Sequence, residues 1–344
     1  MLDIFTQIEG WVETRKSFAL ATVVETWRSA PRMAGAAMAV SDQMEVIGSV
    51  SGGCIEGAVI KEALEVIKSG TPKLMKFGVE NEDAWAVGLS CGGKVTVFVE
   101  RFMAMQASEK AVWDALQQNI RTNKAAVLLS QLSGQQSKHL LVQPKGEVQG
   151  EGASEALLKA AQTVAQTHRH QIVHHQDEQW FVQDFPEKTR LLIVGSAHIS
   201  LDLIDLANQF NFETIVIDPR QIFTAKTRFL SPPAHLYHAW PAQVLPKLRL
   251  NHDTYAVLLS HDPKIDDQAL HLLLRSEVAY IGCLGSRKTH AKRLKRLEEA
   301  GFTSDETDRI YAPVGVNIHA KTPQEIALSV MAQVVEVKNN EEVV

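Results

Sequence analysis

From Arg190 onward, short apolar runs take turns with segments of helical period. Leu191 to Val194, Glu213 to Ile217, Tyr255 to Leu259 and Ala279 to Leu284 read as strands. His198 to Phe210, Ile265 to Leu274, Arg287 to Ala300 and Pro323 to Val337 read as helices. Near-continuous apolar strands separated by helices are the pattern of a parallel sheet covered on both faces, because parallel neighbours need a crossover. This half is therefore expected to be α/β, a Rossmann-like doubly wound parallel sheet.

The preceding half carries a different pattern. Ser17 to Val24 reads as a strand, and Ala36 to Ser41 with Glu45 to Val50 reads as a hairpin around Asp42-Gln43. Ile55, Val59, Ala63, Val66 and Ile67 share one helical face, and Val95 to Val99 is a further strand. Composition turns towards Gln, Ser, Gly and His between about Gln131 and Gln183. At about 150 residues per domain, 344 residues make two. The expected division is an N-terminal α+β domain, 1–185, and a Rossmann-like C-terminal domain, 186–344. The motifs of the first lie within about residues 10–100, and 106–185 is expected to be less regular.

Charge and cysteine content narrow the function classes. Lys and Arg total 35 against 40 Asp and Glu, a net of −5, so a nucleic-acid partner is not expected. Three cysteines without a C-x-x-C pair exclude a disulfide framework and point to a reducing compartment. The opening residues are amphipathic and acidic, and no run of about 18 apolar residues follows. The expected location is the cytoplasm, with no membrane partner.

Polar clusters fall after successive strands of the C-terminal half, where open α/β sheets collect ligands. Gly195-Ser196-Ala197-His198 occupies the place of a G-x-G-x-x-G turn, with only the first glycine kept. Asp218 closes the next strand, where an acid would bind ribose, and Arg220 follows it. Ser260-His261-Asp262-Pro263, Gly285-Ser286-Arg287-Lys288 and Pro313-Val314-Gly315 complete the set. They read as a nucleotide crevice with phosphate at a helix N-terminus, or as ordinary turns in which Asp262 and Ser286 cap helices. Arg287 and Lys288 oppose a helix dipole unless an anion sits there. His261 beside Asp262 and Asp266 reads as an oriented acid-base pair, as half of a metal site, or as a solvated loop histidine.

In the N-terminal half, Val50-Ser51-Gly52-Gly53-Cys54-Ile-Glu56 delivers two glycines and a thiol into a helix start. The glycines permit positive φ and an anion-binding nest, and the helix start favours a thiolate. Glu56 suits the helix dipole or serves as a base beside the thiol. Gly88-Leu-Ser-Cys91-Gly92-Gly93 echoes this turn, and Cys54 and Cys91 are expected to face one another. The alternative is that both are small buried cysteines. Arg32, in Ser29-Ala-Pro31-Arg32, adds a loop cation suited to phosphate, and Cys283 belongs to the core.

Taken in order, Ser29-Ala-Pro-Arg32, Gly48-Ser-Val-Ser-Gly-Gly-Cys-Ile-Glu-Gly57, Ala84-Trp85 with Gly88 to Gly93, Ser260-His-Asp-Pro263, Gly285-Ser-Arg-Lys-Thr-His290 and Thr322-Pro-Gln-Glu-Ile326 resemble the signatures of the XdhC/CoxI family. These are the xanthine dehydrogenase accessory factors. The resemblance covers about residues 10–100 and 190–337. It implies a chaperone that binds the molybdenum cofactor, as molybdopterin or molybdopterin cytosine dinucleotide, protects its sulfurated form and inserts it into an apo molybdenum hydroxylase. It further implies contact with a cysteine desulfurase and a homodimer. Cys54 and Cys91 then stand as sulfur or molybdenum contacts, and the Rossmann crevice as the place of pterin phosphate or nucleotide. The sequence departs from the family pattern at Gly195-Ser-Ala197, where a G-x-G turn is usual, and at His319, where a glycine is expected. The alternative function is an NAD(P)-dependent oxidoreductase with His261 or His198 as proton donor. A weaker third is a structural adaptor between hydroxylase and desulfurase. Three cysteines are too few for one ordinary iron–sulfur centre, so the chain is not itself a complete xanthine dehydrogenase.

Overall fold

The computed structural model describes residues 1–27, 31–78, 93–107, 109–144 and 146–341. The chain divides into two compact units, Met1–Glu187 and Lys188–Val344.

The first unit is built from one motif used twice. Helix α1 (Phe5–Glu13) precedes strands β1 (Phe18–Trp27), β2 (Ala37–Ser41) and β3 (Val46–Gly48), helix α2 (Glu56–Ser69), and strands β4 (Lys73–Phe77) and β5 (Lys94–Arg101). Helix α3 (Lys110–Arg121) then precedes β6 (Ala126–Gln131), β7 (His139–Val142), β8 (Val148–Gln149), α4 (Glu155–Thr167), β9 (Gln171–His175) and β10 (Glu178–Phe185). Among the described residues the two antiparallel sheets have orders β3-β2-β1-β5-β4 and β8-β7-β6-β10-β9, the same path traced twice.

Packing repeats as well. In the first half Val59, Ala63 and Val66 of α2 lie on Ala19, Ala21 and Val23 of β1 and Val95, Val97 and Val99 of β5. In the second, Leu157, Ala161 and Val164 of α4 lie on Val127 and Leu129 of β6 and Trp180 and Val182 of β10. The spacing within each helix triplet is identical, as one helical stripe over a sheet requires. The opposite faces bury Phe18, Leu20, Ala126 and Leu128 in a shared cluster with Phe5, Ile8, Trp113 and Leu116 from α1 and α3. Phe102 stacks on Phe18 at 4.6 Å and meets Trp113 edge-on at 4.9 Å.

The expectation of an irregular stretch over 106–185 is thus corrected: it holds a complete sheet with its own helix. Its strands are short and rich in Gln and His, which blurs the period-2 signal.

The second unit is the expected doubly wound sheet. Its strands are β11 (Arg190–Val194), β12 (Glu213–Ile217), β13 (His235–Tyr237), β14 (Thr254–Leu258), β15 (Tyr280–Cys283) and β16 (Ile310–Tyr311). They are parallel, in the order β13-β12-β11-β14-β15-β16. Its longer helices are α5 (His198–Gln209), α6 (Pro263–Leu273), α7 (Arg287–Glu299) and α8 (Pro323–Glu341). The order reverses between β11 and β14, so the turns after those strands flank the crevice where such sheets bind ligands. No helix among the described residues is long and apolar enough to cross a membrane.

Candidate functional site

The connection from β3 to α2 is organised around one carboxylate. Glu56 accepts hydrogen bonds from the Ser49 hydroxyl at 2.7 Å, the Ser51 N–H at 2.8 Å, the Ser51 hydroxyl at 2.6 Å, the Gly53 N–H at 2.9 Å and the Ile55 N–H at 3.2 Å. The Gly52 N–H donates to the Ser49 hydroxyl at 2.9 Å. Gly52 at φ 77° and Gly53 at φ 125° provide the curvature, in a region of backbone space that favours glycine.

The expected nest is therefore present, but its anion is the chain's own. Ser51, Gly52 and Gly53 spend their backbone donors inside the turn and do not offer them to an outside phosphate. Glu56 as a base is likewise corrected. Burial alone would raise its pKa, yet the Ser51 and Ser49 hydrogen bonds outweigh that and take it down to about 2. A carboxylate so stabilised holds a turn in shape and does not accept protons near neutrality. Cys54, half-buried, rides on this turn just ahead of α2, while Cys283 lies fully buried in β15. Burial pushes the Cys283 thiol up to about 12, which makes it a core residue and a poor nucleophile.

Strand directions gather further groups elsewhere on this sheet. β1 and β4 end together and β5 begins beside them, so Trp27, Phe77 and Lys94 share one edge, whereas β3 runs the same way as β1 but stops at Gly48, level with Ala21. A Cβ on Gly52 would lie 3.7 Å from Pro31 Cβ, so Pro31 adjoins the Ser49 to Cys54 turn. A cavity of about 470 Å³ opens at the edge that Trp27 shares, lined among the described residues by Glu25, Trp27, Lys76, Phe77, Lys94 and Thr96. Two aromatic rings and two ammonium groups suit a planar, anionic ligand. Arg32 is placed differently from a free phosphate clamp: it pairs with Asp3 and lines a second cavity of about 390 Å³ beside His170 and Gln183. Cys91 and Gly92, with Ser29, Ala30 and Trp85, lie outside the described residues.

In the second unit the glycine turn is also closed on an internal carboxylate. Asp218, fully buried, accepts from the Ser196 N–H at 2.8 Å and from the Arg220 N–H, Nε and Nη2 at 2.9, 2.9 and 2.8 Å. Burial would raise its pKa, but the bonds from Arg220 and Ser196 outweigh it and hold the carboxyl below its usual range. Gly195, at φ 96°, has no room for a side chain: a Cβ would meet the Ser260 backbone at 2.5 Å. This glycine serves the close approach of β11 and β14. The acid expected to bind ribose is already satisfied, and Ser196 uses its N–H on it. Ordinary dinucleotide binding, and with it the NAD(P) alternative, does not fit these residues.

The remaining predicted positions separate into caps and exposed groups. Asp262 accepts from the Lys264 N–H at 2.9 Å and Ser286 from the Thr289 N–H at 3.2 Å, so both cap helices. His261 is exposed with φ 60°, and His198, Arg287 and Lys288 are exposed at helix starts; Ala197 is an N-cap without a side-chain bond. Gly285 turns at φ 130° into α7. His319 has φ 58°, which explains why a glycine suits that position.

Sequence reasoning missed two clusters. His139 is buried between Glu100 and Glu109, its two ring nitrogens each 3.0 Å from a carboxylate oxygen. Burial would depress its pKa, but the two carboxylates outweigh this and push it up to about 9. The second is Arg293 on α7, 3% exposed. Its signal was a cation four residues before Leu297, on the buried stripe of the helix. Among the described residues no group of three or more His, Cys, Asp or Glu could hold a metal ion.

Comparison with known proteins follows the same division. The family model for the XdhC and CoxI family matches residues 11–78, and that for the XdhC Rossmann domain matches residues 191–334. A protein of Bacillus subtilis described as a probable xanthine dehydrogenase subunit is 28% identical over 100% of both chains. The molybdenum cofactor insertion chaperone PaoD of Escherichia coli is 27% identical, over 95% of this chain and 85% of that one. A crystal structure titled as a xanthine dehydrogenase from Bacillus halodurans superimposes with a TM-score of 0.81 at 25% identity, covering 99% of this chain and 96% of the other. With both of its signature regions matched in order and relatives aligned end to end, the chain belongs to the XdhC/CoxI family.

Proposed function

We propose that this protein is a cytoplasmic maturation chaperone that carries the molybdenum cofactor as cargo and inserts it into an apo molybdenum hydroxylase of the xanthine dehydrogenase type. The observation that carries this reading is the Cys54 turn. The two halves of the first unit share one topology, yet the second joins β8 to α4 with a plain serine cap, the Ser154 hydroxyl accepting from the Leu157 N–H at 3.3 Å. The first spends a carboxylate and five hydrogen bonds on the same connection. Folding does not require that device, and its product is a thiol held in one place at the head of α2.

Thiols suit a cargo metal that arrives with its own ligands, since soft sulfur matches molybdenum–sulfur chemistry and the described residues form no cage. In this reading Cys54 contacts the molybdenum or its sulfur, Cys91 is the second thiol, and Glu56 positions the turn. The likeness to the PaoD chaperone over 95% of this chain supports the insertion step. Protection of the sulfurated form, contact with a cysteine desulfurase and a homodimer belong to the same proposal.

The test is mass spectrometry of the ligand released from protein expressed in a molybdopterin-competent host, paired with activation of an apo-hydroxylase. A pterin-bearing molybdenum species, with retention and activation both reduced by Cys54→Ala, is expected. Unchanged occupancy and activation in that variant would overturn the role of the thiol.

A further inference from the structure

We propose that the carboxyl edge of β15, where Leu284-Gly285-Ser286 leads into α7, binds a phosphate-type oxyanion through Arg293. The usual phosphate position after β11 is closed, because Asp218 holds the Ser196 N–H and Arg220 together. Two strands along, a cation is in the opposite condition. Arg293 is 3% exposed and donates Nη2 to the Leu284 carbonyl at 2.9 Å, which sets its guanidinium against the turn before α7. Its Nε and Nη1 are buried and have no partner among the described residues. His290, one turn earlier on the same face, has a buried Nδ1 also without a partner.

The carboxylates nearby are otherwise engaged. Asp267 takes a two-pronged bond from Arg296 at 2.6 and 2.9 Å. Asp266 accepts the Ser260 hydroxyl at 2.6 Å and feels the Arg293 charge, but no ion pair between the two forms among the described residues. Nη1 lies beside Nη2, whose second hydrogen completes an end-on fork for two oxygens of a phosphate, and Nε is left to donate from the other edge of the guanidinium. The start of α7, a helix of 13 residues capped by Ser286, adds a positive dipole end, and Arg287 and Lys288 add charge at its mouth. An oxyanion there resolves both the unsatisfied guanidinium and the two cations placed at a helix start.

This inference rests on reading the crevice as a cargo site, but its test needs no hydroxylase, so the two can fail separately. Inorganic pyrophosphate and cytidine diphosphate are titrated into the full chain at low ionic strength by calorimetry, with cytidine as the phosphate-free arm. Saturable pyrophosphate binding is expected, weakened at least about tenfold in Arg293→Met and severalfold in Arg293→Lys, which keeps the buried charge but loses the fork. Arg220→Gln should leave it within about twofold, since that guanidinium is already spent on Asp218. Tighter binding of the diphosphate than of pyrophosphate would assign the phosphate to a nucleotide, and equal binding to any phosphate ester. If Arg293→Met does not fold, the lysine variant decides. Absence of saturable binding in the wild-type chain, or wild-type affinity in the folded Arg293 variants, would overturn the proposal and leave an internal water as the partner of Arg293.

Discussion

The two halves of the first unit follow one path through space and close it with different chemistry. Both run helix, three strands, helix, two strands, and both lay a helix of identical apolar spacing on their sheet. In the second, Gly150 to Ser154 ends in an ordinary N-cap. In the first, Ser49 to Glu56 wraps a carboxylate and carries Cys54. The second half therefore serves as an internal control: the scaffold needs only a cap at this connection, so what the first half adds belongs to the thiol. A related asymmetry marks the polar ties between the halves. His139 of β7 meets Glu100 of β5 and Glu109 as a buried ion triad, while Gln183 of β10 donates to the Gly35 carbonyl at 3.3 Å.

The largest expected effect breaks that triad. His139→Ala removes the cation and leaves Glu100 and Glu109 buried without it, so urea denaturation should show a loss of about 3–5 kcal/mol. A loss no larger than that of a surface substitution would mean that the shared apolar cluster alone holds the halves together. The same triad sets a pH dependence. Because the folded pKa of His139, about 9, lies above the unfolded value of about 6.5, its contribution is complete below about pH 6.5 and disappears as pH rises through about 9. Denaturation midpoints that stay level across that window in the wild type would contradict a charged imidazole.

A smaller effect sharpens the comparison at the turn. Glu56→Gln keeps shape but loses the charge that five donors address, and should cost about 1–2 kcal/mol, since exposure to solvent screens part of it. Alkylation of Cys54 by iodoacetamide, followed by mass spectrometry, should accelerate severalfold as the turn loosens and a neighbouring negative charge is lost. An unaltered rate would separate Glu56 from the thiol. With a folded pKa of about 2, Glu56 keeps its bonds above about pH 4.5 and loses them as pH falls through about 2, so wild-type alkylation should show no break between pH 5 and 7 from this group.

The smallest effect is the control. Ser154→Ala should cost about 1 kcal/mol, the value of a lost helix cap, and leave Cys54 alkylation unchanged. A change in thiol reactivity from this distant cap would show that the two connections are coupled through the unit and are not independent.

Local patterns carried much of this molecule in plain view. Apolar runs such as Leu191 to Val194 and the stripe Val59, Ala63, Val66 mark strands and helices because burial repeats with the period of the backbone. The Ser-Gly-Gly-Cys turn announced itself through two adjacent glycines before a helix. The second sheet stayed hidden because strands of two to five residues, such as β7, β8 and β9, are too short for their alternation to stand out.

The sequence by itself determined the doubly wound sheet, the hairpin, the turn that bears Cys54 and the family to which the chain belongs, since each is written in neighbouring residues. Only the tertiary structure decided who partners whom. Glu56 could have been a base and Asp218 a ribose ligand. Each instead became the filling of a glycine turn, because hydrogen bonds depend on donors brought within about 3 Å by folding. Arg293 and His139 became noteworthy for the same reason: one is a buried cation with two idle donors and the other is held between two carboxylates, and neither condition follows from the residues beside them in the chain.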